Sequence, residues 1–228
     1  MNVTGAMRIL QFGDSLLPVG SFSFSNALEA AVQLREVTDE TTLTEFVRTA
    51  VHRAATSDGI ALLHAHRAAR DHDLERAVAA DNALYQRKFT EEARTMSVRM
   101  GRKLGELGAT MAGAPAIVGW LRLVQESQTP GTYPVGLGLL FADLDVREEH
   151  AFAVHQYGVA MMMLSAALRL MKIDHRQAQA ILYATSATGD DDYASVRQAS
   201  ISDMASFAPM ADILAAVHVR SHVRLFMS

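Results

Sequence analysis

A nearly uninterrupted apolar stretch, residues 151–171, most strongly limits the folds open to this chain. About 20 apolar residues are enough for a helix to cross a bilayer. However, His155, Gln156 and Arg169 interrupt the stretch, and the three methionines at 161–163 would point to all sides of a helix. These features favour the buried central helix of a soluble protein over a membrane span.

The rest of the sequence follows the 3.6-residue period of amphipathic helices and lacks the alternation typical of strands. In the clearest example, Thr42-Leu43-Thr44-Glu45 has the spacing of a capping box, and one apolar face follows as far as Ala54. Further helices are predicted over about 59–70, 73–85, from 90 onward, 116–127, 147–173 and 174–184. Thr90 is the predicted start of the helix from 90 onward, and Asp174 is the predicted cap of the helix over 174–184. We therefore predict an all-α fold, a single globular domain over residues 1–228 with roughly eight to ten helices around a buried central helix.

One predicted helix contains an unusual series of small residues. Ser97, Gly101 and Gly105 recur every four residues, and Gly108 follows. Each glycine weakens a helix by about 1 kcal/mol relative to alanine. Because a missing Cβ lets backbones approach, the series indicates a closely crossing helix, in the core or, alternatively, at a subunit interface.

Three other segments interrupt or qualify the helical pattern. Residues 129–134 (T-P-G-T-Y-P) predict a firm break and form the best candidate for a hinge between two halves. Residues 135–144 are apolar with two glycines, and this pattern fits either a helix or a strand. The aspartates at 190–192 fit a solvated loop or a helix start better than a cation site, because carboxylates that bind one ion must converge.

The composition and the missing motifs exclude several classes of function. The chain has no cysteine, which excludes disulfides, thiolate catalysis and thiolate metal sites. A formal net charge of −4 without a long basic run argues against nucleic acid as a partner. No secretory signal, phosphate-binding glycine loop, nucleophile elbow or H-E-x-x-H motif is present. We expect a cytoplasmic protein, not bound to membranes, without catalytic residues and without a stably bound cofactor.

Two other classes stay open as alternatives. A helical-bundle metalloenzyme needs Glu-x-x-His pairs, but Glu75 and Glu106 have no histidine three residues later. The ligand-binding domain of a transcriptional regulator would follow a basic DNA-binding segment, but residues 1–33 contain only one basic side chain, Arg8.

Only one pair of histidines has a spacing suited to a metal ion. His218 and His222 stand at i and i+4, which brings two imidazoles together if the segment is helical. Two histidines form only a weak divalent site without a third ligand. We therefore predict no metal site of the chain's own and favour an interface role for this pair.

The segment 16–32 combines turn-forming residues with the start of an amphipathic helix. Pro18 fixes its own φ, and Gly20 permits a turn that other residues resist. Ser23 or Ser25 can cap the helix that follows. A loop this apolar near the N-terminus is expected to pack against another surface.

This segment, with its L-P-V-G-S-F-S-F-S and L-E-A-A-V runs, resembles the N-terminal signature of the urease accessory protein UreF family. Residues 218–228, H-V-R-S-H-V-R-L-F-M-S, are similar to the signature that closes sequences of that family. Two unlinked signatures in the right order argue against chance agreement. The resemblance also implies that residues 135–144 are helical.

The resemblance implies a function as well. UreF-like proteins are non-enzymatic scaffolds that bridge UreD (also called UreH) and the GTPase UreG on apo-urease. They modulate GTPase turnover during GTP-dependent insertion of nickel, which the larger complex handles, and they form homodimers. The terminal segments 1–25 and 208–228 are then expected to bind the partner.

The predicted partner-binding residues lie in the two signature segments, and all of them except Arg220 match the family pattern. They are Pro18, Gly20, Phe22, Ser23, Ser25 and Glu29 near the N-terminus, and His218, Arg220, Arg224, Leu225 and Phe226 near the C-terminus. The resemblance links Glu29 to coupling with the GTPase, although an exposed carboxylate in the first turn of a helix is an equally good explanation. The chain departs from the family pattern at Tyr133, Val219 and Met227, which weakens any claim about contacts there.

Overall fold

A computed structural model describes residues 2–205, 213–214 and 225–226. These residues form α-helices, short turns and loops, and contain no strand. The helices are α1 (Val3–Gly13), α2 (Leu28–Gln33), α3 (Glu40–Ala54), α4 (Ile60–Arg70), α5 (Leu74–Arg87), α6 (Glu91–Met111), α7 (Pro115–Gln125), α8 (Tyr133–Asp143), α9 (Glu148–Leu170), α10 (His175–Ser186) and α11 (Gly189–Val196). A π-helical turn, Ala55–Gly59, joins α3 to α4 without a break. The predicted all-α fold is confirmed.

Several helix starts follow the predicted capping residues. Thr90 caps α6 and Asp174 caps α10, as their side chains accept backbone N–H groups of the first turn. The predicted start of α3 is wrong by two residues. Asp39 is the N-cap and Thr42 closes the capping box from the third helical position, so the helix begins at Glu40.

Helix α8 is buried on every side. Its residues 134–142 are all buried, and it packs against α4, α6, α7 and α9. A Cβ at Gly138 would collide with the carbonyl oxygen of Leu62, so α4 and α8 approach backbone to backbone. The helix that the family resemblance implied over 135–144 is confirmed, and it is the central helix of the fold.

The prediction that the apolar stretch 151–171 forms the central helix is therefore wrong in position. Helix α9 contacts many other elements, but Tyr157 on its outer face is 42% exposed. In the described part of the chain it is also the one helix long and apolar enough to cross a membrane. Of its most apolar 18-residue window, 56% is buried inside the protein, as in the core helix of a globular fold.

The predicted hinge at 129–134 is instead a fixed loop over residues 129–132 that leads directly into α8 at Tyr133. The fully buried carboxylate of Asp81 on α5 accepts five hydrogen bonds, from the backbone N–H groups of Gly131 and Thr132, the hydroxyls of Thr129 and Thr132, and the indole N–H of Trp120. A Cβ at Gly101 would collide with the carbonyl of Gly131. The small residues of α6 thus serve close packing in the core.

The buried apolar side chains of the described residues form two clusters. The larger surrounds α8 and contains Trp120 and Phe141. The smaller joins α2, α3, the second half of α9 and α10, and it also contains Leu214 and Phe226. The C-terminal residues that the structure describes are therefore part of the packing around α2.

Candidate functional site

The two terminal motifs meet at Glu29, in the first turn of α2. Its Oε1 accepts the backbone N–H of Leu225 at 2.7 Å, and its Oε2 accepts that of Phe226 at 3.0 Å. Glu29 is only 2% exposed, and a buried carboxylate needs such donors to offset the loss of water. The explanation of Glu29 as an exposed carboxylate is therefore wrong. The residue ties the C-terminal motif to the N-terminal helix.

The start of α2 is shaped to place this carboxylate. Ser25 is fully buried, and its Oγ accepts the backbone N–H of Glu29 at 3.4 Å. The N-cap position is taken by Ala27 in the left-handed conformation, with φ of 67° and no side-chain cap. Such a conformation costs about 1–3 kcal/mol outside glycine, so the surrounding contacts must maintain it. Ser23 lies instead in a short 3-10 turn, and its predicted capping role is wrong.

Arg169 on α9 connects both motifs from the other side. Its guanidinium carbon lies 4.2 Å from the centre of the Phe226 ring, and one of its terminal nitrogens donates to the carbonyl oxygen of Phe22 at 3.1 Å. Cation–π contacts of this kind contribute about 0.5–1 kcal/mol at exposed sites and more when desolvated. Arg169 was not predicted as a site residue. A lone cation late in an otherwise apolar helix is the signal that could have revealed it.

The loop before α2 has the conformation that its sequence suggested. Gly20 has φ of 86°, a left-handed conformation that favours glycine. Val19 is buried and anchors the loop, whereas Pro18 and Phe22 stay exposed. The loop thus presents part of the motif to solvent while the rest joins the core.

Exposed apolar side chains are concentrated in the terminal segments. Among the described residues, thirteen large apolar side chains are exposed, and seven of them lie within 1–25 or 208–228. These seven are Val3, Met7, Leu10, Leu16, Phe22, Ile213 and Leu225. The three on α1 are spaced i, i+4 and i+7, which places them on one face of that helix. Concentrated exposed apolar surface is typical of sites that bind other proteins.

Part of the predicted site lies outside the described residues. This applies to His218, Arg220, His222 and Arg224, and so to the weak metal-binding pair. In the part of the chain that the structure describes, no group of three or more His, Cys, Asp or Glu side chains could hold a metal ion.

The place where both chain ends meet, which we call the junction, therefore consists of the buried Glu29 and Phe226, of Arg169, and of the exposed Phe22 and Leu225. It defines the chain as an all-α protein with an apolar surface suited to binding another protein.

Comparison with known proteins gives the particular family. A sequence model of the UreF family matches residues 37–186, more than half of the chain. Over 227 residues the chain is 53% identical to urease accessory protein UreF 2 of Brucella canis, covering 100% of this chain and 93% of that protein. It is 43% identical over 226 residues to urease accessory protein UreF of Yersinia enterocolitica, covering 99% of each. The chain belongs to the UreF family of urease accessory proteins.

Proposed function

We propose that this chain is a non-enzymatic scaffold that bridges UreD (UreH) and the GTPase UreG on apo-urease. In this role it supports GTP-dependent insertion of nickel and modulates GTPase turnover. Nickel is the cargo of the whole complex, and the chain itself holds no cofactor. The protein acts in the cytoplasm as a homodimer, without contact to nucleic acid or membrane.

The junction is the observation that supports this function best. Glu29 binds the backbone of Leu225, and Arg169 binds the backbone of Phe22. A partner that contacts Phe22 and Leu225 would therefore contact both chain ends together. Interfaces commonly combine exposed apolar side chains with a few buried charged groups that fix their orientation. The junction has this composition. It also includes Glu29 from the N-terminal signature and Leu225 and Phe226 from the C-terminal signature.

Co-expression with UreD tests the proposal most directly. We expect the full chain to co-purify with UreD and to restore urease activity in a maturation mutant that lacks its own UreF. A chain cut after residue 207 should keep the helical body, judged by circular dichroism, but lose UreD. The proposal is wrong if the full chain does not bind UreD, or if the truncated chain binds UreD as tightly as the full chain.

A second assay examines the absence of enzymatic activity. The purified chain alone should release no phosphate from GTP, whereas its addition should change the rate at which UreG does so. Phosphate release by the chain alone, at a rate that follows its concentration, would contradict a scaffold role.

A further inference from the structure

A groove of about 670 Å³ lies between the N-terminal segment, α3, α6 and α9. Its volume falls within the range of about 300–1,000 Å³ that binding sites usually have. The apolar walls include Phe46, Met96, Val154, Met161 and Met162. Methionine side chains adapt their shape to an occupant, and they are common on surfaces that bind polypeptide segments.

Gly158 keeps one wall of this groove open. A Cβ at Gly158 would meet no atom within 4 Å. Seven other helical glycines would each bring a Cβ to within 3.2 Å of a neighbour: Gly59, Gly101, Gly105, Gly108, Gly119, Gly136 and Gly138. Close packing within the chain explains those seven but not Gly158. Glycine is a poor helix former, so its place inside α9 is explained by the space that it leaves in the groove wall.

Two opposite charges at the floor of the groove are paired with each other. The π-helical turn brings Asp58 there, and its Oδ1 accepts a hydrogen bond from Nζ of Lys88 at 2.8 Å, so the two charges offset each other. His155 is 4% exposed, and burial lowers its pKa to about 4, which leaves the imidazole neutral near pH 7. Single-turn π-helices occur frequently at functional sites. A floor of this kind favours apolar groups over a free ion.

The rim of the groove is acidic. Among the described residues, its lining includes five acidic side chains and three basic ones. The exposed members of this set, Asp14, Glu36 and Glu45, are all acidic, whereas the three basic side chains are half-buried. An occupant with positive charges on either side of an apolar centre would therefore complement the groove.

We propose that the groove receives an apolar polypeptide segment flanked by basic side chains, and that the UreD partner supplies it. This inference rests on the proposed function. Phe22 of the N-terminal motif and Leu214 near the C-terminus line the groove, so it is continuous with the junction. A partner seated on the junction reaches the groove without leaving this side of the molecule.

The substitution Gly158→Trp tests the inference without disturbing the core. The Cβ of the new side chain meets open space, and tryptophan is a better helix former than glycine, so the variant should fold with an unchanged or higher Tm. Its indole would fill the groove and weaken UreD binding by about tenfold or more, measured as Kd by calorimetry. Gly189→Trp is the matched control, because Gly189 also faces open space but begins α11 away from the groove.

A double variant tests the role of the acidic rim. Glu36→Lys combined with Glu45→Lys should weaken UreD binding about tenfold at low salt, and the loss should shrink at high salt because ions screen exposed charges. If the wild type binds UreD and Gly158→Trp binds it equally well, the groove inference is overturned while the proposed function stands. If the wild type binds no UreD, both are overturned.

Discussion

Glu29 in the first turn of α2 accepts the backbone N–H of Phe226, 197 residues further along the chain, at 3.0 Å. The other carboxylate oxygen binds the adjacent amide of Leu225. Two signatures at opposite ends of the sequence thus describe one place in the fold. A change at Glu29 should therefore act on both ends at once.

We expect Glu29→Gln to weaken UreD binding by about 10- to 100-fold. The amide group keeps one acceptor but turns a donor toward a backbone N–H, and hydrogen bonds to a charged group contribute about 1.5–3 kcal/mol. Pull-down and calorimetry with UreD measure the effect. Glu75→Gln is the control, since Glu75 is also in the first turn of a helix but is exposed. Equal losses in both variants would show that the junction has no special role.

Arg169→Gln should weaken UreD binding by about 5- to 150-fold. The variant loses the contact with the Phe226 ring and the hydrogen bond to the Phe22 carbonyl, each worth roughly 0.5–1.5 kcal/mol. Arg176→Gln on the exposed face of α10 provides a matched loss of charge. An unchanged Kd for Arg169→Gln would remove Arg169 from the site.

Asp81→Asn should lower the free energy of unfolding by at least about 3 kcal/mol. The asparagine amide cannot accept all five hydrogen bonds, so several buried donors lose their acceptor. Urea denaturation measures the loss. Asp71→Asn, which breaks an exposed pair with Arg76, should cost no more than about 1 kcal/mol. A similar cost for both variants would mean that Asp81 does not hold the loop.

His155 should make the protein less stable in acid. Burial lowers its pKa from 6.5 to about 4, so below about pH 6.5 the unfolded chain binds a proton that the folded chain does not. The stability difference between His155→Gln and wild type should therefore shift in favour of the variant as the pH falls from 6.5 to 4, by up to roughly 3 kcal/mol. Denaturation curves at several pH values measure this shift, and parallel pH profiles of the two proteins would contradict it.

The local features of the fold were predictable because they depend on neighbours in sequence. Thr90 and Asp174 were identified as helix caps, since a cap is recognised within one turn. At α3, Asp39 and Thr42 both satisfy capping chemistry three residues apart, and only the backbone geometry shows which of them stands outside the helix. Pattern alone could not resolve that choice.

Features that depend on distant contacts could not be predicted in the same way. The burial of Glu29 arises from Leu225 and Phe226, and a first-turn glutamate is ordinarily exposed. The central position of α8 depends on Gly138, which admits the α4 backbone, although α9 has the longer apolar run. The 129–132 loop looks flexible in sequence because the four hydrogen bonds that fix it all end on a distant residue, Asp81.

The carboxylate of Glu29 needs the backbone N–H groups of Leu225 and Phe226 as hydrogen-bond donors. The order of synthesis therefore matters for this protein. A ribosome releases Glu29 long before it has translated Phe226. During that interval Glu29 lacks its two hydrogen-bond donors from the C-terminal segment, and the junction is incomplete. Under the proposed function, the partner can be recruited only once Phe226 has left the ribosome, so chains that end before Leu225 should be left out of assembly.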